Sequence, residues 1–242
     1  MVDIVIPCYN EAKRFPEAAF KTFFQQNPDY HFIFVNDGSK DQTLQMLLAL
    51  EKYGNGRIEV INQKNQGKAA AVRAGMLHAA AKNQFSYIGF LDADFAATPE
   101  NFNLFLTIAK EFNHRYVLLM GSRVKRLGAH IERKLSRHII GRVVATIISS
   151  YILKLPSYDT QCGAKMFRKE VVTAIFDKPF NTKWLFDVEV ILRLITNVPG
   201  SEKQILEIPL TVWEDKAGSN LTYKDALSVF REMWRIKRMY KR

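Results

Sequence analysis

The chain has 242 residues, 48% of them hydrophobic and 12% aromatic, enough to bury one sizeable core. Its two cysteines, Cys8 and Cys162, show no C-x-x-C pairing, which argues against a disulfide framework or a zinc site and fits a reducing, cytoplasmic setting. The formal charge of +11 is concentrated in residues 123–142, with seven Lys/Arg against one acid, and in residues 222–242, with seven against two. The rest of the chain is therefore neutral. A localised basic surface of this kind faces polyanions or an anionic bilayer.

"MVDIVIPCYNE" enters the apolar run DIVIP (residues 3–7) at once. Neither a basic n-region nor a long apolar h-region precedes it, so no signal peptide is expected. A helix is expected from near Glu11. The strand HFIFVND (31–37) follows, then an Asp-Gly turn and a helix from near Asp41, capped by Ser39 or Asp41. RIEVINQ (57–63) leads to an alanine-rich helix opened by Gly67 and Lys68. YIGFLDAD (87–94) leads to a helix from near Pro99, and YVLLMGS (116–122) closes the regular series. Alternating strands and helices predict an α/β chain with a mostly parallel, twisted sheet and helices on both faces.

Ligands in such sheets bind beyond the carboxyl ends of the strands. The polar stretches PCYNE, NDGSKD, NQGKA and DAD all stand there, so four strand ends point at one crevice. After Arg123 the regularity weakens. We read a single domain over residues 1–242, with a donor half (1–122), an acceptor half (123–221) and a basic amphipathic C-terminal helix (222–242). The longest charge-free stretch, residues 143–153, is too short to span a bilayer.

The stretch FLDAD carries the strongest chemistry. Side chains alternate along a strand, so Asp92 and Asp94 leave on the same side if the extended form persists. Two oxygen ligands with open positions suit Mg²⁺ or Mn²⁺, which would neutralise a diphosphate; taken alone, such a pair more often solvates a strand end or caps the next helix. Asp37 can accept a ring N–H of a uracil or a guanine. Tyr9 can lie along the base and Glu11 can take a ribose hydroxyl, although both also suit an ordinary loop. Lys68 opens a helix whose N–H groups and dipole favour an anion. The absence of a Walker loop and of a G-x-G-x-x-G fingerprint argues against a P-loop NTPase and a dinucleotide-dependent dehydrogenase.

IPCYNE, NDGSKDQT, NQGKAAAVRAGM and FLDAD together resemble the donor half of inverting family 2 glycosyltransferases of the GT-A fold. GSR (121–123), DTQCGAKMF (159–167), WLFDVEVILR (184–193) and WEDKAGSNL (213–221) narrow the resemblance to the dolichyl-phosphate β-glucosyltransferases and related polyprenyl-phosphate enzymes. The resemblance implies that Pro7, Tyr9, Glu11 and Asp37 hold the nucleoside, with Lys68 nearby. Asp92 and Asp94 would hold the ribose-diphosphate and a Mg²⁺ or Mn²⁺ ion. The donor would be a nucleotide sugar, UDP-glucose foremost, and the acceptor a lipid phosphate. Two positions depart from the family pattern, which has Phe at Ala164 and Lys at Asn220; both bear on acceptor or sugar preference.

A phosphate monoester acceptor is largely dianionic at neutral pH, its second pKa being about 6, and needs no strong base. A sugar hydroxyl would need a positioned carboxylate, for which Asp187 and Glu189 are the candidates. Arg123, Arg133 and Arg137 are expected to face the acceptor phosphate, with Gln161, Trp184 and Glu189 along the same wall. The pairs Ile139/Ile140, Val143/Val144, Ile147/Ile148 and Tyr151/Ile152, and the series Tyr223, Leu227, Phe230 and Trp234, form apolar helical stripes beside the two basic segments. They are expected to dock the chain peripherally on the cytoplasmic face of an anionic membrane. Alternatives are a related transferase using GDP-mannose or a hydroxyl acceptor, and a non-enzymatic nucleotide-sugar or nucleic-acid binding module. No helix-turn-helix, RNP or zinc-finger pattern supports a nucleic-acid partner.

Overall fold

The computed structural model describes residues 2–82, 84–132, 135–214 and 223–240, the side chains of residues 135–140 and 223–227 excepted. In chain order the first elements are β1 (Val2–Cys8), α1 (Glu17–Gln26), β2 (Tyr30–Asp37), α2 (Thr43–Tyr53), β3 (Ile58–Gln63), α3 (Lys68–Lys82), β4 (Tyr87–Phe90), α4 (Asn101–Glu111) and β5 (Leu118–Ser122). There follow β6 (His130–Glu132) and α5 (Leu135–Ile147), which runs on as π-helical turns over Ile148–Leu153. The chain then continues through β7 (Lys165–Arg168), α6 (Lys169–Phe176), α7 (Phe186–Asn197), β8 (Ile205–Pro209), β9 (Val212–Glu214) and α8 (Tyr223–Met239).

Seven strands form one sheet in the order β3-β2-β1-β4-β7-β5-β8, and β6 pairs with β9 in a small second sheet. All neighbours in the large sheet are parallel except those of β7, which runs antiparallel between β4 and β5. The strands read as continuous apolar runs because both faces are covered. Ile4, Ile6, Phe32 and Phe34 enter one core with Phe15, Phe20, Phe24 and Phe95, whereas Val5, Ile33 and Val35 enter the other with α3, α6 and α7. On the first face Phe20 meets Phe32 and Phe34 edge-on, at centroid distances of 5.0 and 5.3 Å, a geometry that aromatic quadrupoles favour.

This aromatic core corrects two sequence expectations. The helix expected from near Glu11 begins only at Glu17. Residues 11–15 form a single turn, with the N–H groups of Arg14 and Phe15 both donating to Glu11 O. Pro16 forbids its helical continuation, and Phe15 turns inward against Phe34 and Phe95. Likewise β4 stops at Phe90, so Asp92 and Asp94 do not leave an extended strand. Phe95 N–H donates to Asp92 O across a turn, and Phe95 itself takes a left-handed φ of 51° to bury its ring beside Phe15. The two carboxylates are thus set by a turn.

The basic C-terminal segment forms α8 over Tyr223–Met239. No helix among the described residues is long and apolar enough to cross a membrane.

Candidate active site

The ends of β1 and β2 are tied together first. Asn10, at a left-handed φ of 54°, receives Lys40 N–H on its Oδ1 at 2.8 Å, and its own N–H donates to Ser39 Oγ at 3.0 Å. Thr43 Oγ1 accepts the N–H groups of Glu11 and Ala12. Gly38 has a φ of +66° and lies against the Asn65 backbone, where a Cβ would come to 2.6 Å. The loops after β1, β2 and β3 therefore form one wall. Tyr9 stands exposed on it, Pro7 is half-buried in β1, and Glu11 is buried with Oε1 on Arg14 and Oε2 without a hydrogen bond among the described residues. Burial raises the Glu11 pKa, against the pull of Arg14.

Asp37 is more committed than the sequence suggested. Its Oδ1 accepts Gln63 Nε2 at 2.7 Å and Gln66 N–H at 2.9 Å, and its Oδ2 accepts Gly67 N–H at 2.8 Å. It fastens the loop that opens α3 and so places Lys68. Lys68 Nζ lies 2.5 Å from Asp92 Oδ1. Partial desolvation opposes its charge although the side chain is 42% exposed, yet the carboxylates of Asp92, Asp187 and Asp94 outweigh that and hold its pKa above the ordinary lysine value.

The paired aspartates are electrostatically unequal. Burial works to raise the pKa of Asp92, but Lys68, Lys165 and Arg123 hold it below the usual carboxylate range. Asp94 is raised, first by burial and also by Asp92, although the Ala96 N–H at 3.0 Å steadies it. Asp92 Oδ1 has no hydrogen-bond partner among the described residues beyond its ion pair with Lys68. A carboxylate oxygen held by a single, exposed lysine and lying beside a second carboxylate is a donor set that fits a hard divalent cation. No group of three or more His, Cys, Asp or Glu side chains is arranged for a metal among the described residues. Any ion here would share its sphere with substrate oxygens and water.

Gly163 floors the Asp92 carboxylate. A Cβ at that position would lie 2.2 Å from Asp92 Oδ2. Its loop is held by a chain of charges that the sequence did not announce. Glu207 of β8 accepts Tyr158 N–H at 2.7 Å and Asp159 N–H at 2.6 Å, and Asp159 then grips Arg123 with both oxygens, at 2.5 and 2.8 Å. Arg123 also faces the Trp213 ring at 5.3 Å. Cys162 is buried beneath, its thiol pushed up to about 11 by burial and by Asp159, which leaves it no nucleophile.

Both carboxylates at the start of α7 are engaged by cations of the chain itself. Asp187, in the first turn of α7, is buried and lies 2.5 Å from Lys165 Nζ, which is itself completely buried and also donates to Cys162 O. Glu189 is completely buried. It accepts the N–H groups of Asn181 and Thr182, the Thr182 hydroxyl and the Arg193 guanidinium. Trp184 is 41% exposed, and its carbonyl receives Gln161 Nε2 at 3.1 Å. Ala164 is buried in the core. Arg133, the side chain of Arg137 and Asn220 lie outside the described residues.

Residues 3–176 match the Glycosyl transferase family 2 profile. The chain belongs to glycosyl transferase family 2. It is a glycosyltransferase, and its sheet carries the GT-A arrangement expected for the family. Among similar proteins, the dolichyl-phosphate beta-glucosyltransferase ALG5D of Trichomonas vaginalis is 28% identical, over 99% of this chain and 74% of its own length. The dolichyl-phosphate beta-glucosyltransferase of Homo sapiens is 29% identical over 91% of this chain and 69% of its own. Glucosyl-3-phosphoglycerate synthase from Mycobacterium tuberculosis, solved with Mn²⁺, UDP and glucosyl-3-phosphoglycerate, superposes with a TM-score of 0.68. That match covers 98% of this chain and 78% of that one at 14% identity, and so attests the fold.

Two substitutions test the family 2 site as built. Glu189→Ala leaves Arg193 buried without its carboxylate and is expected to lower unfolding stability by about 3–5 kcal/mol in urea titration. A loss below about 1 kcal/mol would show that Glu189 is not a structural hub. Gly163→Ala displaces the Asp92 carboxylate and should lower turnover about 10²-fold while the circular dichroism spectrum is retained. Unimpaired turnover would remove Gly163 from the site.

Proposed function

We propose that this family 2 enzyme transfers glucose from UDP-glucose to a polyprenyl or dolichyl phosphate, with inversion and with Mg²⁺ or Mn²⁺ as cofactor. One observation carries the choice of a phosphate acceptor. Asp187 and Glu189, the carboxylates expected to act as base toward a hydroxyl, are both engaged by buried cations, Lys165 and Arg193. A phosphate oxygen attacks the anomeric carbon without surrendering a proton, so its acceptor site does not need a free base there. The names of the similar curated proteins point the same way.

Pro7, Tyr9, Glu11 and Asp37 are assigned to the nucleoside, with Asp37 offering what capacity its three N–H donors leave. Asp92 and Asp94 are assigned to the cation, which when bound neutralises the departing nucleoside diphosphate. Lys68 then passes from Asp92 to the anionic donor. In the transfer itself an acceptor phosphate oxygen bonds to the anomeric carbon as the bond from that carbon to the diphosphate breaks. Arg123, held by Asp159, supplies a fixed positive charge to the acceptor phosphate, and Gln161 and Trp184 line its approach. The enzyme works peripherally at the cytoplasmic face of an anionic membrane, where its lipid acceptor resides.

Incubation with radiolabelled UDP-glucose, dolichyl or undecaprenyl phosphate and Mn²⁺ is expected to move label into the organic phase. Folded Asp94→Asn should lose at least about 10²-fold of that rate, since a neutral amide is a poor ligand for a hard dication. Undiminished transfer in excess chelator would refute the metal role. Transfer to sugar hydroxyls but not to the lipid phosphate would refute the acceptor assignment.

A further inference from the structure

α8 has two unlike faces. Outward, Phe230 and Trp234 are 59% and 66% exposed and stand among exposed Arg231, Lys237 and Arg238. Inward, Met233 and Ile236 are buried against the Ile148–Leu153 turns and α7. On the inner side Glu232, also buried, reaches the turn just ahead of α7. Its Oε1 accepts Lys183 N–H, and its Oε2 accepts the N–H groups of Trp184 and Leu185, all at 3.0 Å. Arg235 Nη1 adds a bond to Asn181 O at 2.9 Å.

The three N–H groups precede a helix N-terminus, where no intrahelical carbonyl serves them and where a negative charge is favoured. A carboxylate from a helix nearly fifty residues away satisfies them. The same turn carries Trp184, whose carbonyl holds Gln161, and it leads into the α7 turn bearing Asp187. The outer face combines aromatic rings with cationic side chains, the composition of a helix lying in the interface of an anionic leaflet.

We propose that Glu232 is a positioning residue which couples docking of α8 on an anionic lipid surface to the shape of the acceptor wall. The inference rests on the lipid-phosphate reading for its purpose, though not for its test. Phe230 and Trp234 enter the headgroup region, the basic residues face the lipid phosphates, and α8 is fixed in place. Glu232 then holds the 183–185 turn in the conformation that presents Trp184 and Gln161 to the incoming acceptor. Off the surface, the turn opens more often.

Hydrogen exchange of the Lys183, Trp184 and Leu185 amides in the full chain tests this, with phosphatidylglycerol vesicles, phosphatidylcholine vesicles or none. In the wild type, phosphatidylglycerol alone should slow these amides by about tenfold. Glu232→Gln should still cosediment with those vesicles but exchange faster in solution and show no vesicle response. It should also raise KM for the lipid acceptor and leave KM for UDP-glucose unchanged. Phe230→Ser/Trp234→Ser, which spares the latch, should keep the solution exchange rates and lose both vesicle binding and the slowing. Wild-type protein bound to vesicles with unchanged exchange at 183–185 would overturn the coupling. Failure to bind phosphatidylglycerol, or slowing that follows protein concentration without lipid, would overturn the docking surface. If Glu232→Gln fails to fold, the wild type and the surface variant still decide. Exchange needs neither donor nor acceptor, so a wild type that shows the coupling but transfers nothing to lipid phosphate would refute the functional reading alone.

Discussion

Two carboxylates set two residues apart in a half-buried turn repel one another, and the site is organised around that repulsion. Lys68 answers it directly by its ion pair with Asp92, while Lys165 and Arg123 act on Asp92 through their charges. Those three cations come from three separate elements. Each needs its own anchor: Asp37 for the loop before Lys68, Asp187 for Lys165 and Asp159 for Arg123. The balance leaves Asp92 as the stronger anion and Asp94 as the weaker one.

Around α7 and α8 the charges are instead paired within the protein. Glu189, Arg193, Glu207 and Glu232 each spend their bonding capacity on backbone groups of loops or on one another. Buried carboxylates that accept several N–H groups fix loop shape more sharply than apolar packing does, because each bond has a direction.

The sheet was legible in the sequence because its apolar runs and its polar strand ends alternate with a regular period, and the gathering of Asp37, Lys68 and Asp92 follows from topology alone. Two boundaries were misread where a single aromatic residue decided the backbone, Phe15 before Pro16 and Phe95 after the aspartates. The burial of those rings outweighs the local pattern. Lys165 and Asp159 stood inside a recognised motif, yet their ion-pair partners lie 22 and 36 residues away, beyond any helix or strand period. For Glu189, a base candidate in the sequence, the Arg193 four residues later is the available signal for its internal pair. Glu232 left only a faint trace, an acid placed within a strongly basic tail.

The account turns on Asp92 and Asp94 exchanging Lys68 for a metal-bound nucleoside diphosphate. A crystal structure of the enzyme with UDP and Mn²⁺, read at the manganese absorption edge, tests this most directly. We expect one anomalous peak within coordination distance of the Asp94 carboxylate and the diphosphate oxygens, the uracil near Asp37, and Lys68 Nζ turned from Asp92 to a phosphate oxygen. UDP bound in that crevice without manganese, or manganese seated away from both aspartates while Lys68 remains on Asp92, would contradict it.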